Sequence, residues 1–399
     1  MSPTTLLADI ASVGVDRARG GYSRHAFADS ELELREWFVA EAHRRGLDVH
    51  RDRNGNLWAW WGSPGPDAVV TGSHLDSVPG GGAFDGPLGV VSALCAIDAL
   101  RAQGFRPRRP LAIVVFAEEE GGRFGPACLG SRLLTGAVDP ARVLALTDPQ
   151  GVTFAEAAQR AGVDPRFVGA DLEALSRIGA FVELHVEQGR GLIDLESPVA
   201  VGSSIDAHGR WRLSFTGRGD HAGTTAPADR RDPMIPAART VLAARAVVDA
   251  ADGTRATIGR LVPVPGGTNV IPSRVDLWLD TRSATEPVTR TAVEEITAAA
   301  RQVAQDEGCR IEVREESWSG TVSFDSVLRD RMRAVVGDVP ELPTGAGHDA
   351  GVLAARVPTG MLYVRNPTGV SHSPEEFAEA ADCAAGVDAL ARVLAELAG

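Results

Sequence analysis

Apolar residues recur at helical and strand spacing along the first third of the chain. Residues 30–46 have helical spacing and end at a glycine, which predicts an amphipathic helix. Residues 87–104 predict another helix, because a proline stands in the first turn and a glycine at the end. Short apolar runs predict strands at 47–51, 56–61, 67–73 and 111–117. This alternation favours an α/β domain with a largely parallel sheet.

A different pattern begins near residue 207. From there the order of strand-like and helix-like segments is β-α-β-β-α-β, which is typical of a small α+β domain. After about residue 318 the alternation of helices and strands resumes. We therefore predict a discontinuous main domain at 1–206 and 318–399, with a mainly parallel mixed sheet flanked by helices, and an inserted domain at 207–317.

Composition and charge exclude several classes of protein. The chain has 399 residues, of which 44% are apolar, so it can bury a sizeable core. Its formal net charge is −13 and no basic stripe stands out, which argues against nucleic acid as a partner. No apolar run approaches the length of about 18 residues that a transmembrane helix needs, so we expect no membrane-spanning segment.

The arginines, the cysteines and the amino-terminal segment narrow the possible chemistry and the expected cellular compartment. All 40 basic residues are arginine, which excludes Schiff-base catalysis, attachment of pyridoxal phosphate and a phosphate-loop lysine. The amino terminus lacks the pattern of a signal peptide, so a cytoplasmic location is expected. Four cysteines form no CxxC pair and favour free thiols over a disulfide framework or a thiolate zinc site: Cys95, Cys128, Cys309 and Cys383.

Acidic residues and histidines gather after the apolar runs. The segment "FAEEEGGRF" places Glu118, Glu119 and Glu120 side by side directly after a predicted strand, where like charges repel each other. A bound cation would relieve that repulsion. In a parallel α/β sheet, the carboxyl ends of the strands form the edge where sites lie. Four more candidates stand at or just beyond predicted strand ends: His74, Asp85, His185 and His372.

The joint pattern predicts a pair of metal ions. Imidazole nitrogens and carboxylate oxygens suit Zn²⁺, Mn²⁺ and similar ions, and no cysteine is needed. Two ions about 3.5–4 Å apart would share one carboxylate and activate a water molecule, whose proton an adjacent carboxylate could take. One of the three glutamates would then bind metal, its neighbour would move a proton, and the third would be a helper or solvated. Singly, each residue also has an ordinary explanation, such as a surface histidine, a helix-capping aspartate or a loop near Arg123.

Seven segments between residues 71 and 376 carry a resemblance to a known family. They are "TGSHLDSVPGGGAFDGPLGV", "AEEEGGRFGPACLGSRLL", "ELHVEQG", "GRGDHAGTTAPADRRDP", "GGTNVIPSRVDLWLDTR", "GAGHDA" and "GVSHSPEE". On these segments the chain resembles the M20-type binuclear metallohydrolases, and specifically their N-carbamoyl amidase branch. That branch contains N-carbamoyl-L-amino-acid hydrolases, allantoate amidohydrolases and β-ureidopropionases.

The resemblance implies a set of metal ligands and a metal type. One ion would be held by His74 and His185, and the other by Glu120 and His372. Asp85 would bridge both ions. Zn²⁺ is the expected ion, and Mn²⁺, Co²⁺ or Ni²⁺ would also suit ligands of this kind.

The resemblance also implies roles for residues beside the ligands. Glu119 would act as the general base and later as the acid. Asp76 would orient His74 through the second nitrogen of the imidazole ring. A cis peptide bond would join Asp85 to Gly86.

The inserted domain would act as a lid that supplies substrate contacts. His221 would polarise the scissile carbonyl and stabilise its oxyanion, although it could otherwise be a surface turn residue. Asn269 and Arg282 would clamp the substrate carboxylate, a task for which the planar fork of arginine is suited. Arg282 could otherwise form an ion pair at a strand end. Three main-domain residues would also line the substrate: Gln188, at the carbamoyl end, with Gly347 and His348.

The implied activity is hydrolysis of the carbamoyl C–N bond of a small ureido substrate that carries a carboxylate. The implied assembly is a homodimer joined through residues 207–317. Two alternatives stay open. An M20-type peptidase or N-acyl-amino-acid deacylase would share the metal core, and a substrate panel would separate it from a carbamoyl amidase. A metal-bearing dimeric binding protein without activity is the second alternative, although every candidate ligand and the candidate base are present.

Overall fold

The computed structural model describes residues 2–399. The helices, α1 to α13 in chain order, are Pro3–Asp9, Asp29–Arg44, Pro87–Ala102, Leu129–Thr135, Pro140–Leu144, Phe154–Arg160, Leu172–Ser176, Gly191–Asp194, Met234–Ala250, Glu286–Asp306, Ser326–Val336, Asp349–Leu353 and Ala380–Ala398. The strands, β1 to β15, are Asp48–Arg51, Leu57–Trp61, Ala68–His74, Leu111–Phe116, Ile178–Val186, Val199–Ile205, Ala207–Thr216, Asp220–His221, Arg255–Val264, Val270–Ile271, Arg274–Ser283, Arg310–Ser319, Val322–Ser323, Glu341–Thr344 and Thr359–Val364. No helix among residues 2–399 combines the length and apolarity needed to cross a bilayer.

Two compact units divide the chain. The first contains the described residues up to Ser204 together with Ser323–Gly399, and the second is Ile205–Val322. The prediction from sequence placed these boundaries at 207 and 317. The later boundary falls beyond 317 because β12 continues to Ser319, where it is still paired with β7.

The first unit is built on a mixed sheet. Its strands lie in the order β1-β2-β4-β3-β5-β15-β6-β13, and β14 pairs with β6. The four central strands, β4, β3, β5 and β15, are parallel to their neighbours within that group. The flanking pairs β2–β4 and β15–β6 are antiparallel. The predicted α/β class, with a mainly parallel mixed sheet, is confirmed.

Burial of the central strands explains their composition. Every residue of β3, β4 and β15 is buried, because helices cover both faces of a parallel sheet. Helix α3 presents Val90, Leu94 and Ile97 to this core, and α13 adds Leu390 and Leu394. The same packing holds the carboxyl ends of the strands in register, which places the loops that follow them.

The second unit contains a four-stranded antiparallel sheet in the order β12-β7-β11-β9. Its elements follow the chain order β7-α9-β9-β11-α10-β12, apart from the short strands β8 and β10. Alternating residues of β7 and β11, such as Leu213, Phe215 and Leu277, form a core with Ile296 of α10. Helices α9 and α10 also contact each other, so this unit has its own apolar interior.

Candidate functional site

The carboxyl ends of the parallel strands carry most of the predicted site residues. His74 is the last residue of β3 and stands opposite Phe116, the last residue of β4. His185 lies one residue before the end of β5 and is paired with Tyr363 of β15. Because neighbouring parallel strands end at one edge of the sheet, the loops after β3, β4, β5 and β15 start close together.

Two groups of potential ligands meet at this edge and share Asp85. Within each group, one ligand atom per residue lies within 4.8 Å of the others. The first group is His74, Asp85 and His185, and the second is Asp85, Glu120 and His372. The structure therefore brings together all five side chains that the sequence analysis assigned as metal ligands.

The two oxygens of the Asp85 carboxylate face different groups. Oδ1 lies 3.2 Å from Nε2 of His185 and 3.6 Å from Nε2 of His74. Oδ2 lies 3.4 Å from Nε2 of His372. The same His372 nitrogen is 3.3 Å from Oε2 of Glu120. A carboxylate placed in this way can bridge two cations, one on each oxygen.

The orientation of the two buried histidine rings is set by carbonyl groups. Nδ1 of His74 donates to the carbonyl oxygen of Asp76 at 3.0 Å, and Nδ1 of His185 donates to the carbonyl oxygen of Val186 at 2.9 Å. These bonds fix each ring so that its Nε2 faces Asp85 and is the ring atom available to a metal ion.

Asp76 contacts Nδ1, the second ring nitrogen of His74, through its backbone carbonyl and not through its carboxylate. The nearer carboxylate oxygen lies 3.7 Å from Nδ1. Both carboxylate oxygens instead accept backbone N–H groups, of Glu119 at 3.2 Å and of Glu120 at 3.1 Å. The physical reason is that these two amides, at the turn after β4, are strong donors aimed at the carboxylate. Asp76 thus ties the loop of His74 to the loop of the glutamates.

Glu119 lies next to the ligand groups but belongs to neither. Its Oε2 is 3.8 Å from Nε2 of His74, and its Oε1 accepts a hydrogen bond from Sγ of Cys128 at 3.2 Å. Burial raises the pKa of the Glu119 carboxyl well above its usual range; His74 opposes this shift, and the Asp349 and Glu120 carboxylates add to it. A carboxyl group whose surroundings favour the protonated form can accept a proton and pass it on.

Glu118 has a structural role. It is fully buried, and its Oε1 accepts the backbone N–H groups of Arg123 at 3.0 Å and Phe124 at 2.7 Å. Its φ of +53° is a left-handed conformation that turns the chain after β4. Burial raises its pKa to about 8. The possibility that the third glutamate is solvated is therefore wrong.

The charge at this edge fits divalent cations. The side chains of Asp85, Glu119 and Glu120 are at most 7% exposed. Within residues 2–399 no arginine forms an ion pair with any of the three, and their only basic neighbours are histidines. A group of buried carboxylates whose only basic neighbours are histidines favours a bound cation, and nitrogen and oxygen donors without thiolate suit Zn²⁺, Mn²⁺ and related ions.

Gly86 lets the Asp85 loop pass close to His74. It has a φ of +82°, and a Cβ atom there would lie 2.4 Å from Cε1 of the His74 ring. The expected cis bond between Asp85 and Gly86 is absent, since the cis peptide bond among the described residues is Val264–Pro265. The positive φ of glycine provides the sharp turn with an ordinary peptide bond.

Two residues near Asp85 were not assigned from sequence. Ser371 Oγ donates to Oδ2 of Asp85 at 3.3 Å, and Oε1 of Glu376 accepts the backbone N–H of Asp85 at 2.9 Å. In the sequence, the only indication that Ser371 and Glu376 belong to the site is that they stand close to His372. Cys128 is a free thiol, as its spacing predicts, but no pattern in the sequence indicates its contact with Glu119.

Gln188 and His348 lie at the same edge as the ligands. Nε2 of Gln188 donates to Oδ2 of Asp85 at 2.8 Å and to Oγ of Ser371 at 2.9 Å. The ring of His348 is buried, with its centroid 4.6 Å from that of His185. Burial lowers the pKa of His348 well below its usual range, so this imidazole is neutral. Gly347 precedes it, and no atom lies within 4 Å of the position a Cβ would take there.

His221, Asn269 and Arg282 all belong to the second unit. His221 in β8 is paired with Val270 of β10, and the carbonyl of Asn269 accepts the backbone N–H of Ala222 at 3.0 Å, so His221 and Asn269 are neighbours. Arg282 forms a two-pronged ion pair with Asp280, at 2.7 Å from Nε and 3.1 Å from Nη2. The strand-end ion pair named as an alternative for Arg282 is thus present.

Comparison with known proteins agrees with this architecture. The model of Peptidase family M20/M25/M40 matches residues 70–396. An N-carbamoyl-L-amino acid amidohydrolase of Geobacillus stearothermophilus is 34% identical over 398 residues, which cover 98% of this chain and 97% of the relative. The allantoate amidohydrolase of Escherichia coli is 32% identical, and the match covers 98% of this chain and 96% of the relative.

A solved structure gives the same result in three dimensions. The structure of an amidase of the hydantoinase/carbamoylase family from Burkholderia vietnamiensis matches with a TM-score of 0.89 at 31% sequence identity. The match covers 99% of this chain and 97% of that chain. At this level of similarity both the fold and the chain order of the elements are shared.

Proposed function

The chain belongs to Peptidase family M20/M25/M40 and is a hydrolase of that family, and from this premise we propose that it hydrolyses the carbamoyl C–N bond of an N-carbamoyl amino acid or of allantoate. The observation that carries the proposal is the Asp85 carboxylate, whose two oxygens face two separate groups of nitrogen and oxygen ligands. The names of the relatives support the carbamoyl or ureido substrate class. For a carbamoyl amino acid, R–NH–CO–NH₂ and water would give R–NH₂, NH₃ and CO₂.

The proposed cofactor is a pair of divalent cations. His74 and His185 would hold one ion, Glu120 and His372 the other, and Asp85 both. The expected ion is Zn²⁺, with Mn²⁺, Co²⁺ and Ni²⁺ compatible with the same donors. When bound, such ions polarise a carbonyl group and make water a competent nucleophile near neutral pH.

Glu119 is the proposed proton carrier. Its Oε1 is held by the Cys128 thiol, and its Oε2 lies on the side of His74. Oε2 would take the proton from the attacking water as the new C–O bond forms at the carbamoyl carbon. It would return the proton to the leaving nitrogen as the C–N bond breaks. Burial around Glu119 keeps competing solvent away from this transfer.

The remaining assignments concern binding and orientation of the substrate. His221 would donate a hydrogen bond to the developing oxyanion, and Asn269 and Arg282 would hold the carboxylate. Gln188 would contact the carbamoyl end of the substrate. Gly347 and His348 would lie in a loop that lines the substrate. Binding a remote carboxylate would align the carbamoyl group with the attacking water, which is how binding energy lowers the barrier to reaction.

A substrate panel tests the proposal. Protein reconstituted with Zn²⁺ should release ammonia from N-carbamoyl-L-amino acids, N-carbamoyl-β-alanine or allantoate. Under the same conditions it should leave dipeptides and N-acetyl amino acids intact. Cleavage of dipeptides or acetyl amino acids alone would establish the peptidase or deacylase alternative. Bound metal without hydrolysis of any of these compounds would establish the binding-protein alternative.

Replacement of Arg282 by alanine is expected to raise KM for a carboxylate substrate about 10- to 100-fold, the effect of losing hydrogen bonds to a charged group. The value of kcat should change much less. Arg210→Ala is the matched control, because Arg210 also pairs with Asp280, at 3.3 Å. If KM stays unchanged in Arg282→Ala, or rises equally in Arg210→Ala, the ion pair with Asp280 is the whole role of Arg282.

The proposed partner is a second copy of this chain. Helix α9 exposes Ile235, Val241 and Leu242, and Leu242 is 70% exposed. Strand β9 is an edge of the second unit's sheet and exposes Leu261. Apolar side chains beside an open strand edge are typical of an association surface. Sedimentation should give a dimer mass for the native protein and a shift toward monomer for Leu242→Asp; a native monomer would contradict the assignment.

A further inference from the structure

Glu376 accepts two backbone hydrogen bonds from the loop that carries Asp85. The carboxylate is buried, and its Oε1 accepts two backbone N–H groups, of Phe84 at 3.0 Å and of Asp85 at 2.9 Å. The two partners stand 292 and 291 residues away in sequence. A hydrogen bond from a backbone N–H to a carboxylate is roughly twice as strong as one to a neutral acceptor, so this pair of bonds strongly constrains the loop.

The surroundings of Glu376 pack closely against its carboxylate. A Cβ atom on Gly82 would lie 2.3 Å from Oε1 of Glu376, so only glycine lets the 82–85 loop approach this carboxylate. The second oxygen, Oε2, is buried and has no hydrogen-bond partner within residues 2–399. A buried carboxylate oxygen without a partner is costly, and its retention needs a compensating role for the side chain.

The loop that carries Glu376 also touches the carboxylate of Asp85. Ser371 Oγ and His372 Nε2 lie 3.3 Å and 3.4 Å from Oδ2 of Asp85. His372 has a φ of +56°, a left-handed conformation that a non-glycine residue keeps only when its surroundings hold it. One short loop therefore holds both the backbone and the side chain of Asp85.

We propose that Glu376 is a positioning residue that fixes Asp85 between the two ligand groups and thereby sets the affinity for both metal ions. The inference rests on the metal centre proposed above. Without the two bonds to Oε1, the Phe84–Asp85 peptide can rotate, and the carboxylate no longer meets His185 on one side and His372 on the other. Loss of a residue that orients a metal ligand typically weakens metal binding about 10- to 100-fold.

The test compares Glu376→Ala with Glu376→Gln. The alanine variant removes the acceptor, whereas glutamine keeps an acceptor oxygen at Oε1 and replaces only the unpartnered Oε2. Titration of the metal-free proteins with Zn²⁺ should show affinity reduced about 10- to 100-fold in Glu376→Ala and close to that of the natural protein in Glu376→Gln. Excess Zn²⁺ should restore much of the kcat of Glu376→Ala, and KM should change little.

A matched control separates positioning from a general structural role. Asp148 also accepts two backbone N–H groups, of Gln150 at 3.0 Å and Val152 at 2.9 Å, but touches no ligand. Asp148→Ala should lower the Tm of the metal-free protein without altering Zn²⁺ affinity. Glu376→Ala should show a smaller rise in Tm on addition of Zn²⁺ than the natural protein does, because the stabilisation of the folded state by a bound ligand increases with the logarithm of its affinity.

The possible results distinguish the proposed role of Glu376 from the proposed metal centre. Unchanged Zn²⁺ affinity in Glu376→Ala, or an equal loss in Glu376→Gln, would overturn the role of Glu376. Failure of the natural protein itself to bind two Zn²⁺ ions would overturn the metal centre on which that role rests. Two bound ions in the natural protein with weakened binding in Glu376→Ala alone would support both.

Discussion

Replacement of Glu119 by glutamine is expected to lower kcat about 10²- to 10⁴-fold, the usual contribution of a general acid–base. Glutamine has the same shape but cannot carry the proton from water to the leaving nitrogen. Both metal ions should remain bound, because Glu119 belongs to neither group of potential ligands. The measurements are ammonia release under saturating substrate and the metal content of the purified variant.

Glu118→Gln is the matched control for this prediction. Glu118 is also buried and adjacent in sequence, but its Oε1 only accepts the backbone N–H groups of Arg123 and Phe124, which the amide oxygen of glutamine can also do. The kcat of Glu118→Gln should stay near that of the natural protein. A Glu119→Gln variant with near-normal kcat would show that another group moves the proton.

Replacement of Asp85 by alanine is expected to abolish activity and to reduce binding at both metal sites. Asp85 is the residue that the two ligand groups share, and each group retains only two ligands without it. The expected loss of affinity exceeds the about 10- to 100-fold effect of an outer partner, because a direct ligand is removed. Metal content after dialysis and titration with Zn²⁺ would measure it.

His372→Ala provides the comparison for Asp85→Ala. His372 belongs only to the second group, so this variant should keep one tightly bound ion, held by His74, Asp85 and His185. The two variants should therefore differ in the number of metal ions bound per chain as well as in the affinity for metal. If both lose the same single ion, Asp85 does not bridge the two sites; if neither loses an ion, the residues do not form the metal centre.

Much of the fold and the candidate site could be predicted because the signals are local. Runs such as Leu111–Phe116 are entirely apolar, and the structure makes them central strands of the sheet. Residues that follow such runs must lie at one edge when the strands are parallel, which brought His74, Glu120 and His185 together. The resemblance then supplied what position alone does not contain, namely the division of the ligands between two ions and the choice of Glu119 as the base.

Details of the contacts could not be predicted, because they depend on the path of the backbone. Asp76 contacts His74 with its carbonyl, since its carboxylate meets the amides of Glu119 and Glu120. Glu118, which reads as a possible surface charge, is fully buried because the chain turns there with positive φ. Neither outcome follows from residue type or spacing.

The sequence by itself determined the class of the fold, the presence of an inserted α+β segment and the set of side chains available for metal chemistry. These follow from the spacing of apolar residues and from the residue types, both of which can be recognised within short stretches of chain. Only the tertiary structure decided that the oxygens of Asp85 face two separate groups, and that Glu376 holds the backbone of Asp85 from 291 residues away. Contacts between such distant residues depend on how the strands and loops pack together, and no local pattern records that packing.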